Sequence, residues 1–253
     1  MARSLRLLAL AAALALAALW LAPALLLPAL GPRLGDALGV TLAFEGVRPG
    51  FPLGISAERA LVTRGGRALE LTDLRARLAS DGARIRARVG DGALLLRLDG
   101  LSGRSGFVRA ESLPLERLDG VLPGALALRG PLDGVYRFGA RETLEATVGR
   151  GAGVLHAPVA IELGFTQLVV AAERLEDGAW RVEFADLRGP PVSATARGQI
   201  GVTGELALEL EVTQLDEPAR SAFASAGLAI GEIPWSGEIR GTLALPLFVA
   251  ADR

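Results

Sequence analysis

The chain has 253 residues, 51% of them hydrophobic but only 5% aromatic, so any core must be built from Leu, Val, Ile and Ala. Its 27 basic and 28 acidic residues are interspersed, and a net charge of −1 with no basic block excludes nucleic acid as the main partner, because phosphate binding needs a concentrated basic surface. Cysteine is absent, which removes disulfides, thiolate–zinc sites, thiol nucleophiles and a lipoprotein cysteine together. Every basic residue is Arg, and Lys and Asn are both missing. This bias touches all segments equally and reads as GC-rich codon usage, which lowers the functional weight of any single Arg.

Leu7 to Leu30 carries no charge and holds eleven leucines. As a helix it spans about 36 Å, against a hydrocarbon core of about 30 Å. Pro23 and Pro28 kink or end it, which narrows the core of the span to about Leu7 to Ala22 and leaves Trp20 near the outer interface. Arg3 and Arg6 precede the run, so the positive-inside bias puts the N-terminus in the cytoplasm and the rest outside it. The competing reading is a cleaved signal peptide. Ala22-Pro23-Ala24 is a poor cleavage site, and the apolar run exceeds a signal-peptide core, which favours an uncleaved anchor. Residues 1–38 are therefore expected to form a cytoplasmic tip, a transmembrane helix and a juxtamembrane turn.

From residue 39 to 253 the pattern has period two, which predicts a β-rich domain, either single or in two lobes at about 39–110 and 111–253. Val40, Leu42 and Phe44 alternate with Thr41, Ala43 and Glu45. Gly46 to Gly54, with two prolines, reads as a loop. Leu69 and Leu71 flank Glu70, and Ile85, Ala87 and Val89 alternate with arginines. Ile161, Leu163 and Phe165 form another set, as do Val182 and Phe184, then Leu206, Leu208, Leu210 and Val212, and finally Ile239 and Leu243. Such alternation marks strands with one buried face. Gly65-Gly66, Asp81-Gly82, Asp91-Gly92, Asp133-Gly134 and Asp177-Gly178 read as turns between them, since glycine tolerates the positive φ of tight hairpins. Two short helices are expected. Pro114 to Val121 is apolar at helical spacing, and Asp216 to Ala226 has a capping Asp, Pro218 in its first turn and Gly227 as its stop.

No catalytic constellation emerges. His156 is a lone histidine before Ala157-Pro158, without the partners a metal site needs. Glu205, Glu209 and Glu211 fit a solvated strand face better than an acid/base pair. Ser102 and Ser105 sit in a Gly-rich stretch that lacks the strand–elbow–helix pattern of a serine hydrolase. Gly149-Arg-Gly-Ala-Gly153 lacks the context of a nucleotide loop. Trp180 and Trp235 lie in or beside strands, where packing is the default role. The expectation is a non-enzyme with no catalytic, cofactor-binding or metal-ligating residue.

Four elements taken together carry a resemblance. They are the single membrane span, the Gly39-Val-Thr-Leu-Ala-Phe-Glu-Gly-Val-Arg-Pro-Gly-Phe-Pro-Leu-Gly54 element, the pair Leu69-Glu-Leu-Thr-Asp-Leu-Arg-Ala-Arg-Leu78 and Ala127-Leu-Arg-Gly-Pro-Leu-Asp-Gly134, and the closing Ile239-Arg-Gly-Thr-Leu-Ala-Leu-Pro246. The chain resembles type II secretion system protein N (GspN), itself similar to AsmA-like envelope proteins, over nearly its whole length. The resemblance implies a Gram-negative inner-membrane protein with a periplasmic domain, accessory to the secretion apparatus. The expected fold is mainly β: a transmembrane helix, then a twisted antiparallel sheet or a flattened, open β-barrel with one or two short helices. The expected partners are the inner-membrane bilayer and other secretion subunits, which add strands at exposed sheet edges. The alternative is a lipid-binding or lipid-transfer module in which the sheet curls into an apolar groove for phospholipid.

Overall fold

A computed structural model describes residues 41–50, 54–64, 67–100, 104–118, 126–155, 161–225, 230–243 and 245–250. The predicted span Leu7 to Leu30, Ser102 and His156 lie outside these residues. Among the described residues no helix is long and apolar enough to cross a membrane.

The domain is mainly β. In chain order the strands are β1 (Thr41–Glu45), β2 (Arg48–Gly50), β3 (Gly54–Arg64), β4 (Arg67–Ala79), β5 (Gly82–Val89), β6 (Gly92–Asp99), β7 (Ser105–Pro114), β8 (Leu126–Arg129) and β9 (Pro131–Phe138). They continue with β10 (Thr143–Val148), β11 (Gly151–Leu155), β12 (Ile161–Phe165), β13 (Gln167–Arg174), β14 (Trp180–Arg188), β15 (Val192–Ile200), β16 (Leu206–Leu215), β17 (Trp235–Thr242) and β18 (Leu245–Ala250). Fifteen of them form one antiparallel sheet, in which nearly every strand pairs with its sequence neighbour. The path runs from β1 through β3 to β7, then β9, β10 and β13 to β18, with β2 added beside β3. The predicted lobe boundary at 110–111 falls inside β7, and the sheet continues through it. The excluded strands β8, β11 and β12 make a separate three-stranded sheet.

Register shows why this sequence makes a sheet with two unlike faces. Antiparallel partners point the same way. Following them from Leu42↔Val62 to Leu96↔Val108, Tyr136↔Leu144, Val170↔Ala185, Leu210↔Gly237 and Ile239↔Phe248 stays on one apolar face. The opposite face carries Glu70, Arg75, Arg84, Arg97, Glu145, Glu209 and Glu238.

Three buried clusters sit on the apolar face. The first joins Ala57, Ala60, Leu74 and Ala87, with Phe44, Leu71 and Ile85 against them. The second joins Leu115, Val148 and Phe165, so β12 and the 3₁₀ turn Leu115–Leu118 cover β10 there. The third joins Val192, Ala194, Val212, Trp235 and Ile230 to Ala219 and Phe223 of helix α1 (Glu217–Ser225), the one α-helix among the described residues. That helix starts as predicted: Asp216 caps it by accepting a hydrogen bond from the Ala219 N–H at 2.8 Å. The other predicted helix is reduced to the four-residue 3₁₀ turn among the described residues.

Several local expectations are corrected. The stretch read as a loop at Gly46 to Gly54 contains β2, whose Arg48 and Pro49 pair with Ser56 and Ile55. Asp133-Gly134 is no turn but the middle of β9. There a Cβ on Gly134 would meet the Glu145 carbonyl oxygen at 2.9 Å, so glycine serves close strand approach instead. Leu243 is not in the strand with Ile239; it lies in the β17–β18 turn. Val182 and Phe184 do not share a face. A bulge in β14 puts Val182 in the interior and leaves Phe184 exposed. The hairpin at Asp177-Gly178 forms as expected, with Gly178 at φ +86° and Leu175 N–H bonded to the Ala179 carbonyl at 2.8 Å.

Candidate functional surface

The apolar face is the most extensive chemical feature of the molecule. It is covered by the chain's own α1 and β12 toward β15–β17 and β10, respectively. Between these regions and the first cluster, Leu94, Leu96, Leu98, Val108, Phe138 and Leu144 are half-buried and belong to none of the three clusters. Of the described leucines, Leu74, Leu113, Leu115 and Leu206 are buried.

Tyr136 stands on the same face and carries its main polar contact. Its hydroxyl donates to Glu142 Oε2 at 2.8 Å, and Arg174 Nη1 donates to the same oxygen at 3.0 Å. The Tyr136 hydroxyl and the Arg174 guanidinium together hold the Glu142 carboxyl below its ordinary range. Burial and the carboxylate together push the Tyr136 phenol up. Beside them Arg141 grips Glu173 in a bidentate pair at 2.6 and 2.8 Å, which likewise lowers the Glu173 carboxyl. The Trp180 ring lies 6.1 Å from that of Tyr136. This constellation ties the start of β10 to the end of β13. It is a clamp, not an acid/base pair, because its carboxylates are already bound by cations.

On the polar face the described side chains line charge-mixed depressions. One depression is lined by Arg75, Arg86 and Arg88 against Asp73, Asp91 and Glu111, which balance in charge. Its rim contains the two described non-glycine residues with positive φ, Asp73 at 50° and Ser112 at 48°. Both sit at strand irregularities, and Asp133 fixes the second by accepting the Ser112 N–H at 2.8 Å. Glu209 and Glu211 line another depression with Arg197 and Glu238, on the solvated side of β16. Glu205 sits apart, at the β15–β16 turn, its carboxyl lowered by the Thr203 hydroxyl. The three glutamates singled out in the sequence are thus not gathered on one substrate position. Ser105 opens β7 opposite Asp99, and Trp235 is core. Gly149 and Gly151 serve the β10–β11 turn, where a Cβ on Gly151 would collide with the Arg129 carbonyl. Among the described residues no group of three or more His, Asp or Glu side chains could hold a metal ion.

The two ends of the main sheet differ. At the first end, β1 and β2 share the outer side of β3 and are separated by Gly46 at φ +63°. Ion pairs surround them: Arg48–Glu58 at 2.5 Å, and Arg59 with its Nε 2.7 Å from Glu70 and its Nη1 3.7 Å from Glu45. At the other end, β18 is one uninterrupted run, Leu-Pro-Leu-Phe-Val-Ala, with no charge. Its Leu245, Leu247 and Val249 are 56%, 54% and 41% exposed. Sequence reasoning on alternation overlooked this strand, although a run apolar at both odd and even positions was the available signal.

No protein-family model, no curated protein and no solved structure matches the chain.

Proposed function

We propose that the chain is a non-catalytic, membrane-anchored envelope module, the accessory N component of a type II secretion apparatus that its sequence resembles, and that its periplasmic sheet is a docking platform. The observation that carries this reading is the apolar face that runs across the whole main sheet and is covered only in places by the described residues of the chain. Helix α1 already shows what such a face accepts, since Ala219 and Phe223 lie on it. The stretch around Leu94, Leu96, Val108 and Leu144 offers the same chemistry to an apolar element of a neighbouring secretion subunit. The anchor at Leu7 to Leu30 holds that platform at the inner membrane. Photo-crosslinking of the full chain in its own membrane, from residue 96, tests the reading. Recovery of inner-membrane secretion subunits is expected, and recovery of none would count against it.

A second reading, an AsmA-like lipid carrier, is favoured by the aliphatic make-up of the same stretch and by the width of the sheet. Open sheets beyond about ten strands tend to curl, and a curl around this face makes an apolar trough for acyl chains. Native mass spectrometry of the full chain released from gentle detergent separates the two. Retained phospholipid supports a carrier, whereas an empty chain that crosslinks to secretion subunits supports a platform.

A further inference from the structure

Among the described residues, five of the seven exposed large hydrophobic ones, Val202, Leu243, Leu245, Leu247 and Val249, lie along one edge of the sheet and its adjoining turns. The β15–β16 and β17–β18 turns adjoin there, with the Leu243 N–H bonded to the Gly204 carbonyl at 2.9 Å. Strand β18 forms that edge, pairing with β17 on one side only among the described residues. Residues 243–250 contain no charged side chain.

Two kinds of occupant suit exposed leucines, and the backbone decides between them. Burying β18 in hydrocarbon would strand the peptide groups of its free side without hydrogen-bond partners, a cost that keeps open sheet edges out of membranes. A partner strand satisfies those groups and covers the leucines at once. Natural edges that must stay free carry charges, bulges or short strands, and β18 has only Pro246 as such a guard.

We infer that the β18 edge pairs with β18 of a second copy of this chain, antiparallel, about a two-fold axis at Leu247. This goes beyond the face-docking and lipid readings proposed above, does not depend on either, and gives the strand addition expected of an exposed edge a different occupant, a second copy of this chain. The strand is complementary to itself in this register. On the polar side Leu247 meets Leu247 of the partner subunit, and Leu245 meets Val249 of the partner subunit. On the apolar side Pro246 meets Phe248 of the partner subunit. No like charges oppose one another across the strand. The antiparallel order of the sheet and its apolar face both continue into the second copy. A two-fold contact of this kind closes on itself and builds a dimer, not a fibre.

The chain has no cysteine, so single-cysteine variants of the full chain in its own membrane report the contact cleanly. Leu247→Cys changes a side chain exposed enough to leave the fold intact, and mild oxidation of that variant should give a disulfide-linked species of twice the 26.2 kDa chain mass. Thr41→Cys, at the opposite edge, should stay monomeric. In sedimentation of the purified full chain, Leu247→Arg should weaken self-association by roughly a hundredfold with an unchanged circular dichroism spectrum. The inference is overturned if the Leu247→Cys variant fails to link, if the Thr41→Cys variant links as readily, or if the Leu247→Cys variant links to a different protein and not to its own copy.

Discussion

The two ends of the main sheet solve the same physical problem in opposite ways. The first end packs alanines, Ala57, Ala60 and Ala87, under Leu74, and guards its edge with short strands, a glycine break and the Arg48–Glu58 and Arg59–Glu70 pairs. The last end packs bulk, with Trp235, Phe223 and Phe248 against Val212, and leaves its edge strand apolar and unbroken. An unguarded edge invites pairing, and a guarded one resists it. The comparison teaches that exposed apolar surface on this molecule is placed, not scattered.

The largest expected effect lies in the bulky end. Trp235→Ala removes the indole between β16 and α1 and should cost about 3–5 kcal/mol in chemical denaturation. The alanine-packed end should respond to enlargement instead: Ala60→Leu should cost about 1–3 kcal/mol through overpacking. If both ends proved equally tolerant of enlargement, the contrast in packing would be broken. Between the ends, Glu142→Gln loosens the clamp on Tyr136 and Arg174 and should cost about 1 kcal/mol. It should also change the acid limb of stability. The Glu142 carboxyl is held below its ordinary value of 4.5, so its stabilisation is present above that pH and is lost as pH falls through the lowered folded value. A pH series of denaturation midpoints should show a smaller acid loss in Glu142→Gln than in the parent. The smallest effect is Arg48→Ala, which removes one highly exposed ion pair and should cost under about 1 kcal/mol in the same assay.

Much of the sheet was legible from period two. Leu206, Leu208, Leu210 and Val212 share the apolar face as their spacing requires, and Ile85 and Ala87 do too. Alternation fails at the irregularities. Leu71 and Leu74, Ala110 and Leu113, Val182 and Ala185, and Val212 and Leu215 lie on one face at a spacing of three. A bulge inserts one residue and turns the next side chain back inward, so period two reads such a stretch as a change of face or as a loop. Asp133-Gly134 misled for a related reason: glycine there answers the crowding of neighbouring backbone, which only the pairing with β10 reveals. The Tyr136–Glu142–Arg174 clamp joins residues up to 38 positions apart in β9, β13 and the turn before β10, and no local pattern announces it. The membrane span, by contrast, rests on composition alone and lies outside the described residues.

The claim on which the account rests is that one face of this sheet is apolar and water-screened while the other is solvated. Nitroxide labels placed one at a time at residues 206 to 211 of β16, in the full chain in its own membrane, read this directly through collision with a water-soluble nickel complex. The account predicts low collision at 206, 208 and 210 and high collision at 207, 209 and 211, because Leu206, Leu208 and Leu210 share the apolar face while Ala207, Glu209 and Glu211 are exposed on the polar one. Equal collision at all six positions would contradict it.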